Sequence, residues 1–140
     1  MCEQKQFDDI TKLIPQRPPM LMVQRMLSCD DTKVTTELDI VDDNIFVEDG
    51  CLAEPGIIEN MAQTAAVMQG WKYRDQANAA DIRYLCEIRN LTIEKLPSVG
   101  ETLKTTVEVK ASAAGVIMVS CHSETDLGVV ANGSLKIQGN

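Results

Sequence analysis

Residues 54–71 read EPGIIENMAQTAAVMQGW, and this stretch decides the fold. Pro55 and Gly56 mark the start of a helix, after which apolar residues recur around most of the helical cylinder. A helix that is apolar on nearly every side is normally buried, and its many alanines favour close packing against a flat surface such as a sheet. The only ionisable side chain between Gly56 and Trp71 is Glu59. A lone carboxylate there is costly to desolvate, so it needs a partner or a function.

The composition indicates a globular protein rather than a membrane or fibrous one. The chain has 140 residues, of which 44% are hydrophobic and 24% charged, and we expect a single domain over residues 1–140. The net charge of −8 argues against nucleic acid or an anionic membrane surface as the main partner. No segment approaches the roughly 18 apolar residues of a membrane span, and the start lacks the apolar run of a signal peptide. We therefore expect a cytoplasmic protein without a membrane span.

The cysteines favour free thiols over a disulfide or metal scaffold. There are five, an odd number, and no two of them form a CxxC pair. Reduced, mostly buried thiols fit this pattern best, and neither a disulfide framework nor a metal site is predicted.

The segments around the helix read as strands. Before it we expect a short helix over 7–14, stopped by Pro15, and then two strands and an ordered loop over 42–53. The strands are predicted at residues 20–29, 34–41, 82–96, 102–111, 116–125 and 129–137. The clearest alternation is in 102–111, where Leu103, Thr105, Val107 and Val109 share one face. The order predicts an α+β fold, with an antiparallel sheet of about six strands wrapped around one long central helix.

Three stretches resemble the 3-hydroxyacyl-acyl-carrier-protein dehydratases. Residues 13–25, LIPQRPPMLMVQR, are similar to that family's opening Leu-Pro-His-Arg-x-Pro-x-Leu-Leu-Val-Asp-Arg. Residues 55–63, PGIIENMAQ, look like its Pro-Gly…Glu-x-x-Ala-Gln helix, and residues 89–103 resemble its strand ending in Pro-Val-x-Pro-Gly-Asp-x-Leu. The likeness spans nearly the whole chain, and it implies the hotdog fold, which usually dimerises by joining two sheets edge to edge.

The resemblance also implies a reaction and the residues that perform it. In the family, a helix carboxyl group helps the β-hydroxyl of a 3-hydroxyacyl thioester to depart as water, while a histidine of the other subunit removes the α-proton. Glu59 matches the carboxyl group. An unpaired N–H at the helix start polarises the thioester carbonyl, and here it would belong to Gly56. The implied substrate is carried by acyl carrier protein or coenzyme A, in fatty-acid or polyene-type biosynthesis, and no cofactor is needed.

The sequence departs from the family at the histidine. The usual spacing places it within residues 45–47, which read Ile-Phe-Val. The spacing between Gly56 and Glu59 is also about two residues shorter than the family pattern. The only histidine of the chain, His122, lies in a predicted strand with no triad or metal spacing around it, so we interpret it as an ordinary strand residue. A replacement base remains open among three polar residues: Asn44, Glu48 and Glu54.

Further residues are predicted to contact the substrate: Met20, Met22, Asn60 and Gln63. Gln63 follows Glu59 by one helical turn, so its amide can bond Glu59 or the substrate, and a purely structural amide is an equal alternative. The methionines, with Met26, either fill the core adaptably or line a tunnel for an acyl chain.

Four basic residues cluster near the end of the predicted helix and the strand after it. They are Lys72, Arg74, Arg83 and Arg89. Such a group is usually a solvated face, but it is also where an acidic carrier protein could dock.

Three functions are consistent with these residues. The first is a dehydratase-like enzyme acting on carrier-bound 3-hydroxyacyl thioesters, as a homodimer or higher homo-oligomer. The second is a thioesterase on the same fold, in which the helix carboxylate activates water without a histidine. The third is a non-catalytic acyl-binding subunit that pairs with a histidine-bearing paralogue, and the missing histidine favours it.

Overall fold

The structure is a computed structural model that describes residues 7–75 and 83–139, with the backbone alone for residues 83, 84, 86 and 139. A 3-10 helix near the start is followed by eight strands and one long α-helix. Their bounds are Ile10–Lys12 for the 3-10 helix, Arg25–Cys29 (β1), Lys33–Asp39 (β2), Val47–Glu48 (β3), Cys51–Leu52 (β4), Glu54–Lys72 (α1), Arg83–Ile93 (β5), Thr102–Ala113 (β6), Val116–Thr125 (β7) and Gly128–Gly139 (β8).

Six of the strands form one antiparallel sheet in the order β1-β2-β6-β7-β8-β5, and α1 packs on one face of it. In β6 the side chains of Leu103, Thr105 and Val107 are fully buried towards the helix, while Lys104 is exposed on the other face. This alternation follows from the two-residue period of a strand and confirms the face assignment predicted for 102–111. The six-stranded sheet and the single long helix are likewise confirmed.

Three local predictions are wrong. The predicted short helix over 7–14 is a single 3-10 turn, and Phe7 instead forms an isolated bridge with Met26. The first strand begins at Arg25, because the backbone of Met20 and Met22 bonds to α1 and only Gln24 before it bonds to β2. The segment 42–53, predicted as a loop, contains the small hairpin formed by β3 and β4.

The predicted burial of α1 holds for most of the helix but not for one stripe. At the buried side, a Cβ added at Gly70 would overlap the carbonyl oxygen of Leu13, so the chain touches the helix backbone there. One stripe of the helix surface is only half-buried, and we call it the half-buried stripe: Ile58, Glu59, Ala62, Ala66 and Gln69. These five positions fall within about 100° of the helical wheel. Within residues 7–75 and 83–139, no helix has the length and hydropathy of a membrane span.

Candidate functional site

The candidate site lies at the first turns of α1, where the helix meets the hairpin before it. Gly56 is buried, and a Cβ there would come within 2.6 Å of Leu52 Cδ1 and 2.7 Å of Phe46 Cβ. Contacts this short are not tolerated, so a glycine is required for the hairpin to pack on the helix start. This packing brings residues 44–52 next to the turn that carries Glu59.

The Gly56 amide differs from the prediction. Its N–H donates to the carbonyl oxygen of Ala53 at 2.9 Å, so it is not an unpaired group at the helix start. The prediction of a free Gly56 N–H is therefore wrong, because the first turn of α1 closes with a 3-10 type bond that satisfies this donor. In this arrangement Gly56 serves the packing of the hairpin.

Gln63 links Glu59 to the extended segment before β1. Its Oε1 accepts from the Met22 N–H at 2.6 Å, and its Nε2 donates to the Met20 carbonyl at 2.9 Å. The same Nε2 donates to Glu59 Oε2 at 2.6 Å. Because two backbone groups fix which end of the amide is oxygen and which is nitrogen, the orientation of Gln63 is determined by its network.

This arrangement gives the two oxygens of Glu59 different environments. Oε2 accepts from Gln63, whereas no described residue hydrogen-bonds to Oε1. Glu59 lies on the half-buried stripe, so Oε1 is the oxygen left for another group. The geometry therefore suits a carboxyl group that exchanges a proton through one defined oxygen.

Asn60, the next residue, points into the interior. It is fully buried, its Nδ2 donates to the Met22 carbonyl at 2.7 Å, and its Oδ1 accepts from Thr105 Oγ1 at 2.6 Å. Thr105 also bonds Ser123 at 2.8 Å. The predicted contact of Asn60 with substrate stays a prediction, since the structure gives both ends of this amide partners within the chain.

The methionines predicted to contact substrate differ in exposure. Met20 is 43% exposed, whereas Met22 is 1% and Met26 is 0% exposed in the core. The Met22 thioether accepts a long hydrogen bond from Asn44 Nδ2 at 3.4 Å. Met22 and Met26 thus pack the interior of this chain, and the substrate contacts predicted for Met20 and Met22 stay predictions. A small apolar cleft does open beside the half-buried stripe, between Ala65, Ala66 and Met68 of α1 and Ile117, Val119 and Ile137 of the sheet.

Residues 45–47, where the family's histidine is expected, form part of a hydrogen-bonded turn. Phe46 N–H donates to Asn44 Oδ1 at 2.8 Å, and the Phe46 carbonyl accepts from Ala53 N–H at 2.8 Å. His122 lies elsewhere, on the outer face of β7 where its ring bonds Asn132 at 2.6 Å and Glu124 at 3.0 Å. Because α1 covers the opposite face of the sheet, His122 does not reach Glu59 within the chain.

The three candidates for a replacement base are also placed. Asn44 is half-buried and engaged with Met22 and Phe46, whereas Glu48 and Glu54 are exposed. None of the three has a hydrogen bond to Glu59 among the described residues. The structure therefore places none of these three candidates in hydrogen-bonding contact with Glu59.

The basic residues near the end of α1 do not form one free patch. Arg74 stacks on the Trp71 ring at 4.0 Å and donates to the Trp71 carbonyl at 2.7 Å. Arg89 is ion-paired with Glu87. Lys72 is exposed over the Tyr73 ring, and the Arg83 side chain lies outside the described residues. Carrier docking at these residues remains a prediction.

The described cysteine side chains are free thiols: Cys29, Cys51 and Cys121. Cys2 and the side chain of Cys86 lie outside the described residues. Burial raises the pKa of the Cys121 thiol to about 12, which keeps it protonated and unreactive. Among residues 7–75 and 83–139, no group of three or more His, Cys, Asp or Glu side chains could hold a metal ion.

Sequence reasoning missed one part of the site. The backbone of Met20 and Met22 holds Gln63 and Asn60, and so orients the turn that carries Glu59. The available signal was the proline-rich stretch before these methionines, which forces an extended chain with free backbone donors and acceptors. Extended backbone beside two carboxamides on a helix predicts this kind of pairing.

Comparisons with known proteins agree with the fold and with the resemblance. A 3-hydroxyacyl-[acyl-carrier-protein] dehydratase FabZ of Wolbachia pipientis wMel is 28% identical over 135 residues, which cover 92% of both chains. Among solved structures, the dehydratase heterocomplex ApeI:P from Xenorhabdus doucetiae matches with a TM-score of 0.86 at 19% identity, covering 94% of this chain and 90% of that one. A hypothetical thioesterase with coenzyme A from Streptococcus pneumoniae TIGR4 matches with a TM-score of 0.65 at 9% identity, covering 82% and 84%.

The structural matches confirm the hotdog fold that the sequence predicts. The family follows from a separate comparison, in which the family model ApeP-like, described as ApeP dehydratase, matches residues 8–139. That range includes the helix with Glu59, the segment that holds it and all strands of the sheet. The chain therefore belongs to the ApeP-like dehydratase family, within the hotdog-fold dehydratases that its motifs resemble.

Proposed function

We propose that this chain supplies the carboxylic acid for dehydration of a 3-hydroxyacyl thioester, and that the base comes from a histidine-bearing second subunit. The observation that carries the proposal is the environment of Glu59: Gln63 occupies Oε2, Oε1 is free, and no described residue of the chain offers a base. A carboxyl group poised in this way, on a stripe that the chain itself leaves half-buried, is an incomplete acid–base pair.

The chemistry divides between the two subunits. The partner's base removes the α-proton of the thioester, and the β-hydroxyl departs as water after receiving a proton from Glu59 Oε1. The product is the enoyl thioester, and Glu59 is left as a carboxylate that must be reprotonated. Gln63 has a positioning role, because its bond to Oε2 keeps Oε1 as the oxygen that faces the hydroxyl.

One comparison supports a heterodimer over a homodimer, and another supports the class of substrate. The similar structure from Xenorhabdus doucetiae is a dehydratase heterocomplex, and the FabZ of Wolbachia is named for action on acyl-carrier-protein substrates. Two copies of this chain would bring together two acids and, at the described residues around them, no base. We accordingly propose that the substrate is a carrier-bound or coenzyme A thioester and that a partner subunit completes the site. We also propose that this chain forms a single domain.

The test is a Glu59→Gln variant combined with a histidine-bearing dehydratase paralogue from the same organism. We expect elimination from a 3-hydroxyacyl thioester to fall by at least about a hundredfold, because the amide cannot donate the proton in the same way. Formation of the enoyl thioester is followed by its absorbance, and a binding measurement checks that the two subunits still associate.

The matched control is Glu54→Gln, which makes the same chemical change on an exposed side chain in the first turn of α1. It should leave the rate within about twofold of the unmodified pair. Full activity in Glu59→Gln, or high activity of this chain by itself, would remove the proposed division of labour.

A thioesterase is the second candidate, and it is favoured by the lone carboxylate. Glu59 could activate water without any histidine, and one similar structure is a hypothetical thioesterase with coenzyme A. Following free thiol and enoyl absorbance in one reaction separates the two functions. Thiol release by the chain alone, abolished in Glu59→Gln, would establish hydrolysis instead of elimination.

A further inference from the structure

The turn between β2 and α1 exposes apolar and acidic side chains together. We call this the acidic loop surface, and it consists of Val41, Asp42, Asp43, Ile45, Glu48 and Asp49. All six are exposed, and the two apolar members are each 48% exposed. Large aliphatic side chains left in water beside carboxylates are typical of an interface with an apolar centre and a charged rim.

The carboxylates of this surface are not neutralised within the described part of the chain. No lysine, arginine or histidine of those residues forms an ion pair with Asp42, Asp43, Glu48 or Asp49. Asp39, just before the surface, is instead paired with Arg25 at 3.0 Å and is bonded by Thr102. Unlike Asp39, the four carboxylates of the acidic loop surface therefore have no basic partner among the described residues.

The acidic loop surface adjoins the candidate site. Phe46, within the same turn, packs on Gly56, and Asn44 bonds Met22, which in turn is held by Gln63. Val41 and Ile45 also line a groove of about 470 Å³ together with Pro19 and Leu21. The loop that carries this surface therefore contacts the start of the helix that carries Glu59.

We propose that the acidic loop surface is the docking surface for a folded partner subunit that presents lysine and arginine side chains around an apolar patch. The proposal rests on the proposed function, since the partner is the subunit that completes the site. An acyl carrier protein or coenzyme A is not the occupant, because both are anionic and this surface repels them.

Charge complementarity of this kind makes association sensitive to salt. Each charge at the rim of an interface contributes little to the binding free energy. Several charges acting together steer the encounter of the two subunits and fix its orientation. The affinity of the two subunits should therefore fall as the NaCl concentration rises, and most of that dependence should come from the turn. Screening beyond a Debye length of about 8 Å at physiological salt limits the contribution of more distant charges.

The experiment compares two triple variants of equal charge change, each purified and titrated with the histidine-bearing paralogue. The test variant carries Asp42→Asn, Asp43→Asn and Glu48→Gln. The control variant carries Asp31→Asn, Glu94→Gln and Asp126→Asn, which are exposed side chains away from the turn. At a low NaCl concentration of about 50 mM we expect the dissociation constant to rise about tenfold in the test variant and to stay within about twofold in the control.

Three outcomes decide the proposal. Weaker binding and a flatter salt dependence in the test variant, with activity restored at saturating concentration, support it. Equal binding of both variants overturns it while leaving the proposed function intact, because Glu59→Gln reports on the chemistry separately. Salt-dependent self-association of this chain, lost in the test variant by sedimentation, would assign the surface to a second copy and also overturn the proposal. If the unmodified pair forms no complex at all, the docking surface and the heterodimer fall together.

Discussion

Two neighbouring rows of polar residues cross the same three strands and behave oppositely. The inner row faces α1 and consists of Thr36, Thr105 and Ser123; the outer row faces away and consists of Thr35, Thr106 and His122. Each outer residue is adjacent in sequence to an inner one. The strand geometry and the residue types are thus nearly the same, and what differs is the environment.

The inner row is sealed and fully connected. Its three members are 0% exposed. Thr36 bonds Thr64 of α1 at 2.8 Å, Thr105 donates to Asn60 of α1 at 2.6 Å, and Ser123 bonds Thr105 at 2.8 Å. In the outer row Thr35 is 9% exposed and contacts Thr106 at 3.2 Å, whereas Thr106 and His122 are half-buried and can be reached by water. A buried polar group must be paired, whereas an exposed one can bond water, so only the inner row can fix the position of the helix. Since Asn60 follows Glu59 directly, that row also sets where the carboxyl group points.

The largest expected effect comes from breaking the inner row at Asn60. The substitution Asn60→Ala leaves the Met22 carbonyl and the Thr105 hydroxyl without this partner inside the core. The unpaired Met22 carbonyl and the hydrogen bond lost by Thr105, which keeps its bond to Ser123, cost about 3 kcal/mol together, or roughly 10 °C in Tm for a domain of this size. Thermal and urea unfolding, followed by circular dichroism, measure the change.

The matched control lies next to the outer row. Asn132 is exposed and bonds His122, so Asn132→Ala should change the free energy of unfolding by at most about 0.5 kcal/mol. If the two alanine variants lose equal stability, burial does not explain why the two rows differ in their contribution to stability.

The sequence predicts much of the difference between the inner and outer rows. The alternation in 102–111 assigns Thr105 and Thr106 to opposite faces, and the long apolar helix identifies the side on which the core lies. The existence, order and type of the large elements follow from these periodic patterns. The exact start of β1 does not, because residues 20–24 had two possible partners, the sheet or the carboxamides of α1, and only the folded arrangement selects between them.

The candidate site was predictable in its acid and not in its surroundings. Glu59 is the only charge between Gly56 and Trp71, so its importance follows from the cost of desolvation. The bond between the Gly56 N–H and the Ala53 carbonyl depends on whether the first turn of the helix closes as a 3-10 turn, which no residue pattern encodes. The half-buried stripe was missed for a related reason, since alanines are compatible with either a sheet or a partner subunit as cover.

A smaller loss of stability is expected when one inner and one outer residue of the same strand, β6, are compared. Thr105→Val and Thr106→Val both replace a hydroxyl by a methyl group at adjacent positions of β6. The first leaves Asn60 Oδ1 without its donor and should cost about 1–2 kcal/mol, whereas the second should be within about 0.5 kcal/mol of zero because valine suits a half-buried strand position. Urea unfolding of the two variants and of the double variant measures both costs. Equal costs would mean that the hydroxyl network does not hold the helix.

The smallest effect concerns the ion pairs at the end of the outer face of β2. Hydrogen bonding to Arg25, and then to Thr102, lowers the pKa of Asp39 below its ordinary value of 3.8. A carboxyl group with a lowered pKa contributes stability that is present at neutral pH and is lost as the pH falls through the folded-state pKa. Because the Asp39 side chain is 40% exposed, solvent screening keeps this contribution to about 0.5 kcal/mol.

The variant Asp39→Asn should therefore be slightly less stable than the unmodified chain at pH 7 and indistinguishable from it once the pH is well below 3.8. Tm measured against pH for the two proteins tests the convergence, and adding about 1 M NaCl at pH 7 should shrink the gap, as expected for an exposed pair. The inner row makes the opposite prediction: the cost of Asn60→Ala should not depend on salt, because its hydrogen bonds lie between uncharged groups sealed from ions. A salt-sensitive cost at Asn60 would show that water and ions reach the inner row, and these hydrogen bonds would then not account for the position of Glu59.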